Sequence, residues 1–231
     1  MNEATSEQSF SQFGEDVLVW NYFGDEAAGF FVDVGANDPE AVSQTFFLEK
    51  KGWSGILIEP QSACCERLRQ IRTRSHVLQL ACGSPEQRGK ALLRLDGQLS
   101  RLTNTSSATE KCEEVQIMTL DEILERTPHP QIDFLSIDVE GFELQVLQGF
   151  DLRKHSPRLI LLEDNFPNRL QVHRHMKHHG YKLVKRTGCN NWYIPKGQTF
   201  TMTTTMEKAK LWRKMYLGTA FRKLRMFLTG H

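Results

Sequence analysis

Residues 30–38 read FFVDVGAND, and this stretch decides the fold. The first five residues form an apolar run interrupted only by Asp33, which is typical of a strand covered on both faces. Small and polar residues, beginning with Gly35, end the run, and residues 43–51 then have the pattern of a helix. The stretch therefore predicts a buried strand that leads through a short turn into a helix.

The same unit recurs along the chain. Four more apolar runs end in small or acidic residues, and helical patterns lie between them. Strands that alternate with helices form parallel sheets with right-handed crossovers. The sequence therefore predicts a doubly wound, Rossmann-like α/β fold. The predicted strands are residues 55–58, 77–80, 134–137 and 159–162, and the predicted helices are residues 62–72, 142–149 and 168–179.

Two segments depart from this alternation. Residues 83–118 are mostly polar but contain two short apolar runs, which predict an edge pair of strands or an excursion from the sheet. Residues 181–186 and 192–194 are strand candidates joined by a Gly/Asn turn, which predicts a hairpin. We therefore expect a seven-stranded sheet, mostly parallel, with a terminal antiparallel hairpin strand.

A chain of 231 residues is long enough for one sizeable core and short for two. Its 39% hydrophobic and 25% charged residues exclude disordered, collagen-like and membrane-spanning classes. The net charge of +1 conceals a division, because residues 1–164 carry 15 Lys and Arg against 27 Asp and Glu, whereas residues 165–231 carry 14 against 1. We expect a main domain over residues 1–198, including an N-terminal helix at about residues 9–23, and a basic amphipathic helical tail over residues 199–231.

Cysteine spacing and the N-terminal residues indicate the compartment. The five cysteines show no spacing typical of disulfide frameworks or zinc sites, which favours reduced thiols. Residues 1–10 have neither the positive region nor the apolar region of a signal peptide. The longest aliphatic run, residues 159–162, is far shorter than the roughly 18 apolar residues that a membrane span needs. We therefore expect a cytoplasmic protein, with any membrane contact peripheral at the inner membrane surface.

Ligands of open α/β sheets bind beyond the carboxyl ends of the strands, where the strand order reverses. Asp33 and Asp38 flank a loop in which Gly35 lets the backbone approach a ligand. Glu59 ends the second strand, 24 residues beyond Gly35, and an acidic side chain there can hold the two hydroxyls of a ribose. These residues predict a nucleoside site.

The glycine pattern indicates which nucleoside cofactor binds. A dinucleotide fold uses GxGxxG to bring backbone N–H groups onto a pyrophosphate, whereas this loop has only Gly35, followed by the acidic Asp38 and Glu40. S-adenosylmethionine (SAM) has a ribose, a sulfonium cation and no phosphate, so it suits an acidic loop. The terminal antiparallel hairpin also favours SAM. An oxidoreductase that uses NAD(P) is the alternative on the same scaffold.

Acidic residues also end the fourth and fifth predicted strands. Asp138 and Glu140 follow one strand, and Glu163 and Asp164 follow the other. Their carboxylates can take a proton from a hydroxyl acceptor or hold a divalent cation, and the sequence leaves that choice open. These four residues are the catalytic candidates. Of the four, Asp138 is the strongest candidate for contact with substrate or cofactor. We expect Glu143 to be structural.

In combination, these motifs resemble FkbM-type methyltransferases, a branch of the class I seven-strand SAM-dependent superfamily. The similarity runs in order from about residue 8 to residue 194 and does not extend over residues 199–231. It implies O-methylation by direct displacement from SAM. The matching pieces are residues 11–16, residues 31–38 with Ser43 and Thr45, residues 52–55 leading to 58–60, and residues 119–124, 132–143 and 159–163.

The resemblance also implies where the cofactor is held. Strand-end residues bind SAM, with Ala81 and Cys82 beside the adenine and Cys82 acting as a small packing residue. Gln12 comes from the N-terminal segment, which is equally well explained as a helix cap. The cofactor-binding candidates are Gln12, Asp33, Gly35, Ala36, Asn37, Glu59, Ala81 and Cys82.

The tail carries seven Lys and Arg after residue 205 among leucines and aromatic residues. Its apolar arcs before and after Gly218 do not line up, which predicts two short amphipathic helices. Such a segment can lie on an anionic membrane or dock on the protein's own acidic body, and both alternatives stay open. Nucleic acid is a weaker candidate because no recognition motif is present.

The histidines of residues 173–179 fit a solvated basic helix better than a metal site, because Arg174 and Lys177 lie between them.

Three hypotheses follow from the sequence. The first is a SAM-dependent O-methyltransferase acting on a hydroxyl of a sugar, a glycan or glycolipid, or another polar metabolite. The second is the NAD(P)-dependent oxidoreductase. The third is a non-catalytic binding protein that is tethered to a membrane through its basic tail.

Overall fold

The computed structural model describes residues 8–24, 28–96, 101–103, 111–164 and 168–213. Strands alternate with helices through most of this length. The strands are β1 (Phe30–Val34), β2 (Ser54–Glu59), β3 (Ser75–Gln79), β4 (Ala81–Cys82), β5 (Gly89–Arg94), β6 (Arg101–Thr103), β7 (Cys112–Met118), β8 (Phe134–Ile137), β9 (Leu159–Glu163), β10 (Tyr181–Thr187) and β11 (Asn190–Pro195). The helices are α1 (Glu15–Phe23), α2 (Phe46–Lys50), α3 (Ser62–Ile71), α4 (Leu120–Arg126), α5 (Glu143–Gln148), α6 (Leu152–His155), α7 (Arg169–His178) and α8 (Thr205–Trp212), with one 3-10 turn at Pro85–Gln87.

The main sheet has seven strands in the order β10-β11-β9-β8-β1-β2-β3. The strands from β9 to β3 in that order pair in parallel, whereas β11 is antiparallel to both of its neighbours. The prediction of a mostly parallel, doubly wound sheet that finishes with an antiparallel hairpin strand is therefore confirmed. The strand order reverses beside β1, so the carboxyl ends of β1 and β8 border the crevice where ligands bind in such sheets.

Helices cover both faces of the sheet, because alternate residues of each central strand belong to different cores. Phe31 of β1 packs in one core with residues of α1, α2 and α3. Val32 and Val34 pack in the other core with residues of α4, α5 and α7. All five residues of β1 are buried. This two-sided burial explains why the strand reads as an apolar run rather than as an alternation of apolar and polar residues.

The excursion predicted over residues 83–118 forms a second sheet with the order β4-β7-β5-β6. Ala81 and Cys82, expected to end the third strand, instead make the short strand β4, which pairs with β7. Leu93, Val115 and Ile117 form a small core of this sheet. The second sheet therefore begins where the third strand of the main sheet stops.

Several helix boundaries differ from the expected ones. The helix expected at residues 43–51 begins only at Phe46, because the Ser43 hydroxyl accepts the Phe46 N–H (3.1 Å) and the Thr45 hydroxyl donates to Asp33 (2.8 Å). Residues 120–126 form α4, which the strand and helix patterns had not assigned. A capping box between Thr119 and Glu122 begins that helix.

Residues 205–212 of the tail form α8, which packs beside β10. Lys185 of β10 holds this arrangement, since its ammonium group donates to the Met202 carbonyl (3.2 Å) and pairs with Glu207 (3.3 Å). The second predicted tail helix lies outside the described residues. Among the helices that the structure describes, none has the length and apolarity to cross a membrane.

Candidate active site

A cavity of about 560 Å³ opens at the carboxyl ends of β1, β2, β8 and β9. Eleven of the twelve predicted site residues line it, and Asp164 is the exception. Five acidic residues face this space, and its lining includes no Lys or Arg within the described part of the chain. We call this space the acidic cavity. Its acids are Asp33, Glu59, Asp138, Glu140 and Glu163.

Gly35 follows β1 and lies against Asp138, the residue that follows β8. Its φ is +89°, a backbone conformation that favours glycine. A Cβ atom at this position would overlap the backbone carbonyl of Asp138. The N–H groups of Gly35 and Ala36 both donate to the carbonyl of Ile58 (2.9 and 3.2 Å). Gly35 therefore lets the β1 loop lie against both neighbouring strand ends.

Glu59 is buried at the end of β2, and both of its carboxylate oxygens accept backbone hydrogen bonds. The N–H of Asn37 donates to Oε2 (2.9 Å) and the N–H of Gln61 donates to Oε1 (2.8 Å). Burial raises the pKa of Glu59, and these two hydrogen bonds act in the opposite direction. Each oxygen keeps a second lone pair, so the fixed carboxylate can also accept hydroxyl groups of a ligand.

Asp33 lies below the cavity in a buried polar network. Thr45 donates to its carboxylate (2.8 Å), and the fully buried Arg72 donates to Thr45 (3.0 Å) and to Glu49 (2.7 Å). Burial raises the pKa of Asp33, whereas hydrogen bonds from Thr45 and Ser136 and the nearby charge of Arg72 act to lower it. This network attaches the loop before α2 to β1.

Three non-glycine residues that line the cavity have φ in the left-handed region. These φ values are +49° at Asn37, +60° at Val42 and +52° at Glu140. A β-branched residue rarely adopts that conformation, so Val42 is the most strained of the three. Strain of this kind persists only where surrounding contacts hold it, and it concentrates at ligand sites.

The N-terminal segment reaches the cavity because two buried carboxylates hold it. Asp16 accepts hydrogen bonds from the Ser9 hydroxyl (2.5 Å) and the Phe10 N–H (2.7 Å). Glu15 joins the segment to the terminal hairpin, since it accepts from Thr187 (2.8 Å) as well as from the Phe13 N–H. These contacts place the exposed Gln12 at the cavity. Helix α1 itself begins after Gly14 without a side-chain cap, and Glu15 and Asp16 lie in its first turn.

Asp138, Glu140 and Glu163 place one carboxylate oxygen each within 4.8 Å of one another. Burial and then the neighbouring Glu163 raise the pKa of Asp138 well above its usual value of 3.8. The trio can therefore hold a proton at a pH where an isolated aspartate is ionised, or share a divalent cation through oxygen ligands. Glu143, by contrast, lies outside the lining and accepts the Gly141 N–H (2.9 Å).

Asp164 is the one predicted site residue that the structure places elsewhere. Its buried carboxylate pairs with Arg169 (2.6 Å) and with Arg186. Successive side chains at a strand end point to opposite sides, so Glu163 faces the cavity and Asp164 faces away from it. The geometry therefore assigns Asp164 a structural role in place of the expected catalytic one.

Ala81 and Cys82 form part of an apolar wall together with Leu80 and Leu93. Burial raises the pKa of the Cys82 thiol, and this agrees with a packing role rather than a nucleophilic one.

Sequence patterns missed several lining residues, of which Gln44 is the most informative. Its side chain is buried, and its Oε1 has no hydrogen-bond partner among the residues that the structure describes. Gln44 lies between Ser43 and Thr45 of the motif, but nothing in one sequence indicates which of three adjacent polar residues faces a ligand. The other missed lining residues include Ser43, Ser136, Phe142 and Cys189.

The family model for the FkbM methyltransferase domain matches residues 33–183, which span all of these strand ends. The chain belongs to the FkbM methyltransferase family. FkbM methyltransferases use SAM, and the cavity residues fit that cofactor. Gly35 lets the β1 loop lie against the end of β8, Glu59 can accept ribose hydroxyls, and among the residues that the structure describes the lining presents no Lys or Arg to a phosphate.

Solved structures similar to this FkbM methyltransferase have low sequence identity. Precorrin-6y C5,15-methyltransferase from Geobacter metallireducens is 11% identical, with a TM-score of 0.46 over 81% of this chain and 90% of the other. M. capricolum TrmK bound to S-adenosyl-homocysteine is 10% identical, with a TM-score of 0.44 over 87% and 80%. The N-terminal domain of human METTL16 bound to SAH is 11% identical, with a TM-score of 0.44 over 81% and 72%. No curated protein matches the sequence.

Proposed function

We propose that this FkbM methyltransferase transfers the methyl group of SAM to a hydroxyl oxygen of a sugar, glycan, glycolipid or other polar metabolite. The observation that carries the proposal is the position of Asp138, a half-buried carboxyl with a raised pKa beside Glu163 and Glu140. Membership of a methyltransferase family sets the oxidoreductase hypothesis aside.

The residues around SAM divide into a polar and an apolar side. Glu59 accepts the ribose hydroxyls, while backbone hydrogen bonds hold its carboxylate in position. The wall of Leu80, Ala81, Cys82 and Leu93 suits the flat adenine ring. Asp33 in β1 and Gly35, Ala36 and Asn37 in the loop that follows line the cavity between these two sides, and Gln12 lines it from the N-terminal segment.

SAM, when bound, would supply an electrophilic methyl carbon with a neutral thioether as its leaving group. The acceptor hydroxyl has to lose a proton as its oxygen forms the new carbon–oxygen bond. Asp138 takes that proton, because its raised pKa brings it closer to the pH at which the reaction runs. Glu140 and Glu163 orient the hydroxyl or hold a divalent cation against it.

The test is methyl transfer from isotope-labelled SAM to pools of sugars and other polar hydroxyl compounds, with the methylated atom identified by mass spectrometry and NMR. We expect Asp138→Asn to lower kcat by about 10²-fold to 10⁴-fold, as for loss of a general base. S-adenosylhomocysteine (SAH) affinity should stay within about threefold, because the uncharged amide keeps the shape of the side chain.

The matched control is Asp121→Asn, since Asp121 is partly exposed and lies outside the cavity. Unchanged kcat in Asp138→Asn would contradict the base assignment. A methyl group on nitrogen or carbon would contradict O-methylation itself.

A further inference from the structure

A second cavity, of about 460 Å³, lies beside the edge strand β10 and between α7 and α8. Among the residues that the structure describes, none lines both this cavity and the acidic cavity. We call it the basic cavity, because four lysines and a histidine face it and no Asp or Glu does within the described part of the chain. Its existence depends on the tail, since α8 forms one of its walls.

The four lysines come from four different parts of the chain. Lys177 lies on α7, Lys182 on β10, Lys196 after β11 and Lys208 on α8. Lys182 donates to the Gln198 carbonyl (2.6 Å), which fixes its ammonium group at this surface. Like charges that converge on one cavity repel one another, and an anion between them relieves that repulsion.

Apolar side chains form the rest of the lining. Val184 and Phe200 are buried parts of the protein core, and Leu183 and Leu211 are partly buried beside them. Trp212 remains 59% exposed, which is unusual for so large an apolar side chain. A cavity with an apolar wall and a cationic rim is suited to a ligand that has both characters.

Residues that do not line the cavity hold α8 in place as its wall. Glu207 accepts from Thr204 in a capping box and pairs with Lys185, and neither residue lines the cavity. Thr203 donates to the Val184 carbonyl (2.9 Å). The acidic residue of α8 is therefore engaged elsewhere, and the lysines keep their positive field.

We propose that the basic cavity binds a single amphiphilic anion, with a phosphate-like head group among the four lysines and an apolar chain against Phe200, Leu211 and Trp212. The proposal is independent of the proposed function, because no residue is common to the two cavities.

The test uses the full chain and dodecyl phosphate below its critical micelle concentration, with calorimetry and tryptophan fluorescence as readouts. We expect saturable binding that changes the tryptophan emission. Trp212→Phe should remove the emission change while the heat of binding persists.

The double variant Lys177→Gln/Lys208→Gln should weaken binding about tenfold, since each exposed charge contributes modestly to affinity. The control Lys90→Gln/Lys154→Gln lowers the net charge equally at lysines paired with Glu114 and Glu125, and should change affinity less than about twofold.

Three further ligands test which part of the amphiphilic anion is recognised and whether it binds as a single molecule. Inorganic phosphate and neutral dodecyl maltoside should each bind much more weakly than dodecyl phosphate. Equal binding of inorganic phosphate would overturn the apolar half of the proposal, and equal binding of the maltoside would overturn the ionic half. Binding to phosphatidylglycerol vesicles without binding of monomeric dodecyl phosphate would overturn the cavity and indicate a membrane-surface contact. Retained SAH binding in the lysine variants would show that the proposed function is unaffected.

Discussion

The two cavities are built on one sheet and have opposite charge. The acidic cavity lies at the ends of four central strands, and its carboxylates are buried or half-buried. The basic cavity lies beside the edge strand β10 and helix α8, and three of its four lysines are exposed. Besides the sign of their charge, the two cavities differ in how deeply their charged groups are buried. Burial decides how far each charged group relies on protein partners for its stabilisation.

A buried charge has to be compensated by partners, whereas an exposed one is solvated by water. Glu59 illustrates the first case, because two backbone N–H groups fix its carboxylate. Lys208 illustrates the second, on the exposed surface of α8. The acidic cavity should therefore respond to substitutions through stability and geometry, and the basic cavity through ligand affinity alone.

The largest expected effect comes from Gly35→Ala in the acidic cavity. We expect it to lower the free energy of unfolding by about 4 kcal/mol or more, because a Cβ would overlap the Asp138 carbonyl in a backbone conformation that alanine rarely adopts. Urea unfolding at equilibrium measures this change.

Gly180→Ala, beside the basic cavity, is the matched control. Gly180 also has a positive φ (+87°), but no heavy atom of the described residues lies within 4 Å of the position of its Cβ. We expect a loss of only about 1–2 kcal/mol, from backbone strain alone. Equal losses in the two variants would mean that the close approach of β1 and β8 does not limit the stability of the acidic cavity.

Asp164→Asn and Asp138→Asn should change stability in opposite directions. Asp164 pairs with two arginines in the interior, so we expect its substitution to cost about 3–5 kcal/mol. Asp138 lies among other carboxylates, so Asp138→Asn should raise stability by about 1 kcal/mol at pH 8. Urea unfolding of both variants and the wild type at several pH values measures these differences.

The pH dependence distinguishes the Asp138 effect from a general one. Because its pKa is raised in the folded state, the folded protein holds this proton more tightly than the unfolded chain. The contribution of Asp138 to wild-type stability should therefore fall as pH rises above 3.8 toward the folded pKa, and the gain in Asp138→Asn should grow over the same range. A gain that is the same at pH 4 and pH 8 would contradict the assignment.

Much of the acidic cavity could be predicted from the sequence because its residues follow strands. Gly35, Glu59 and Asp138 each come directly after or end an apolar run, and parallel strands bring their carboxyl ends to one edge. The prediction for Asp164 was wrong because successive side chains of a strand point to opposite faces, and the sequence does not show which face each residue takes. The fold was predictable for the same reason, except for α4. Residues 83–118 were predicted only as an edge pair of strands or an excursion, because their apolar runs are short and interrupted.

The basic cavity could not be predicted in this way. Its lysines are separated by up to 31 residues and lie on four elements, and surface lysines are common in any chain. Only the charge division of the sequence and the apolar residues of the tail favour an anionic partner for this end of the protein. Packing of α8 against β10 brings the lysines together, and that packing depends on contacts such as Lys185 with Glu207.

Glu59→Gln should weaken SAH binding by about tenfold to a hundredfold, measured by calorimetry. An amide in place of the carboxylate presents a donor to one of the two backbone N–H groups and removes an acceptor for the ribose. The control is Glu113→Gln, which also loses a carboxylate that accepts a backbone N–H, from Ser62 (3.2 Å), but lies outside the cavity. Dodecyl phosphate affinity should be the same in both variants, and a parallel loss there would mean that the two cavities are not independent.

Gln44→Leu has the smallest expected effect and separates binding from stability most sharply. The Gln44 Oε1 is buried without a partner among the described residues, so a leucine of similar size should leave stability unchanged or slightly higher. A ligand group that donates to this oxygen would lose that hydrogen bond, and we expect SAH or acceptor affinity to fall about threefold to tenfold. Calorimetry with SAH and the KM for the acceptor show which ligand is affected. Lower stability with unchanged affinity for both ligands would mean that Gln44 supports the loop before α2 and contacts neither of them.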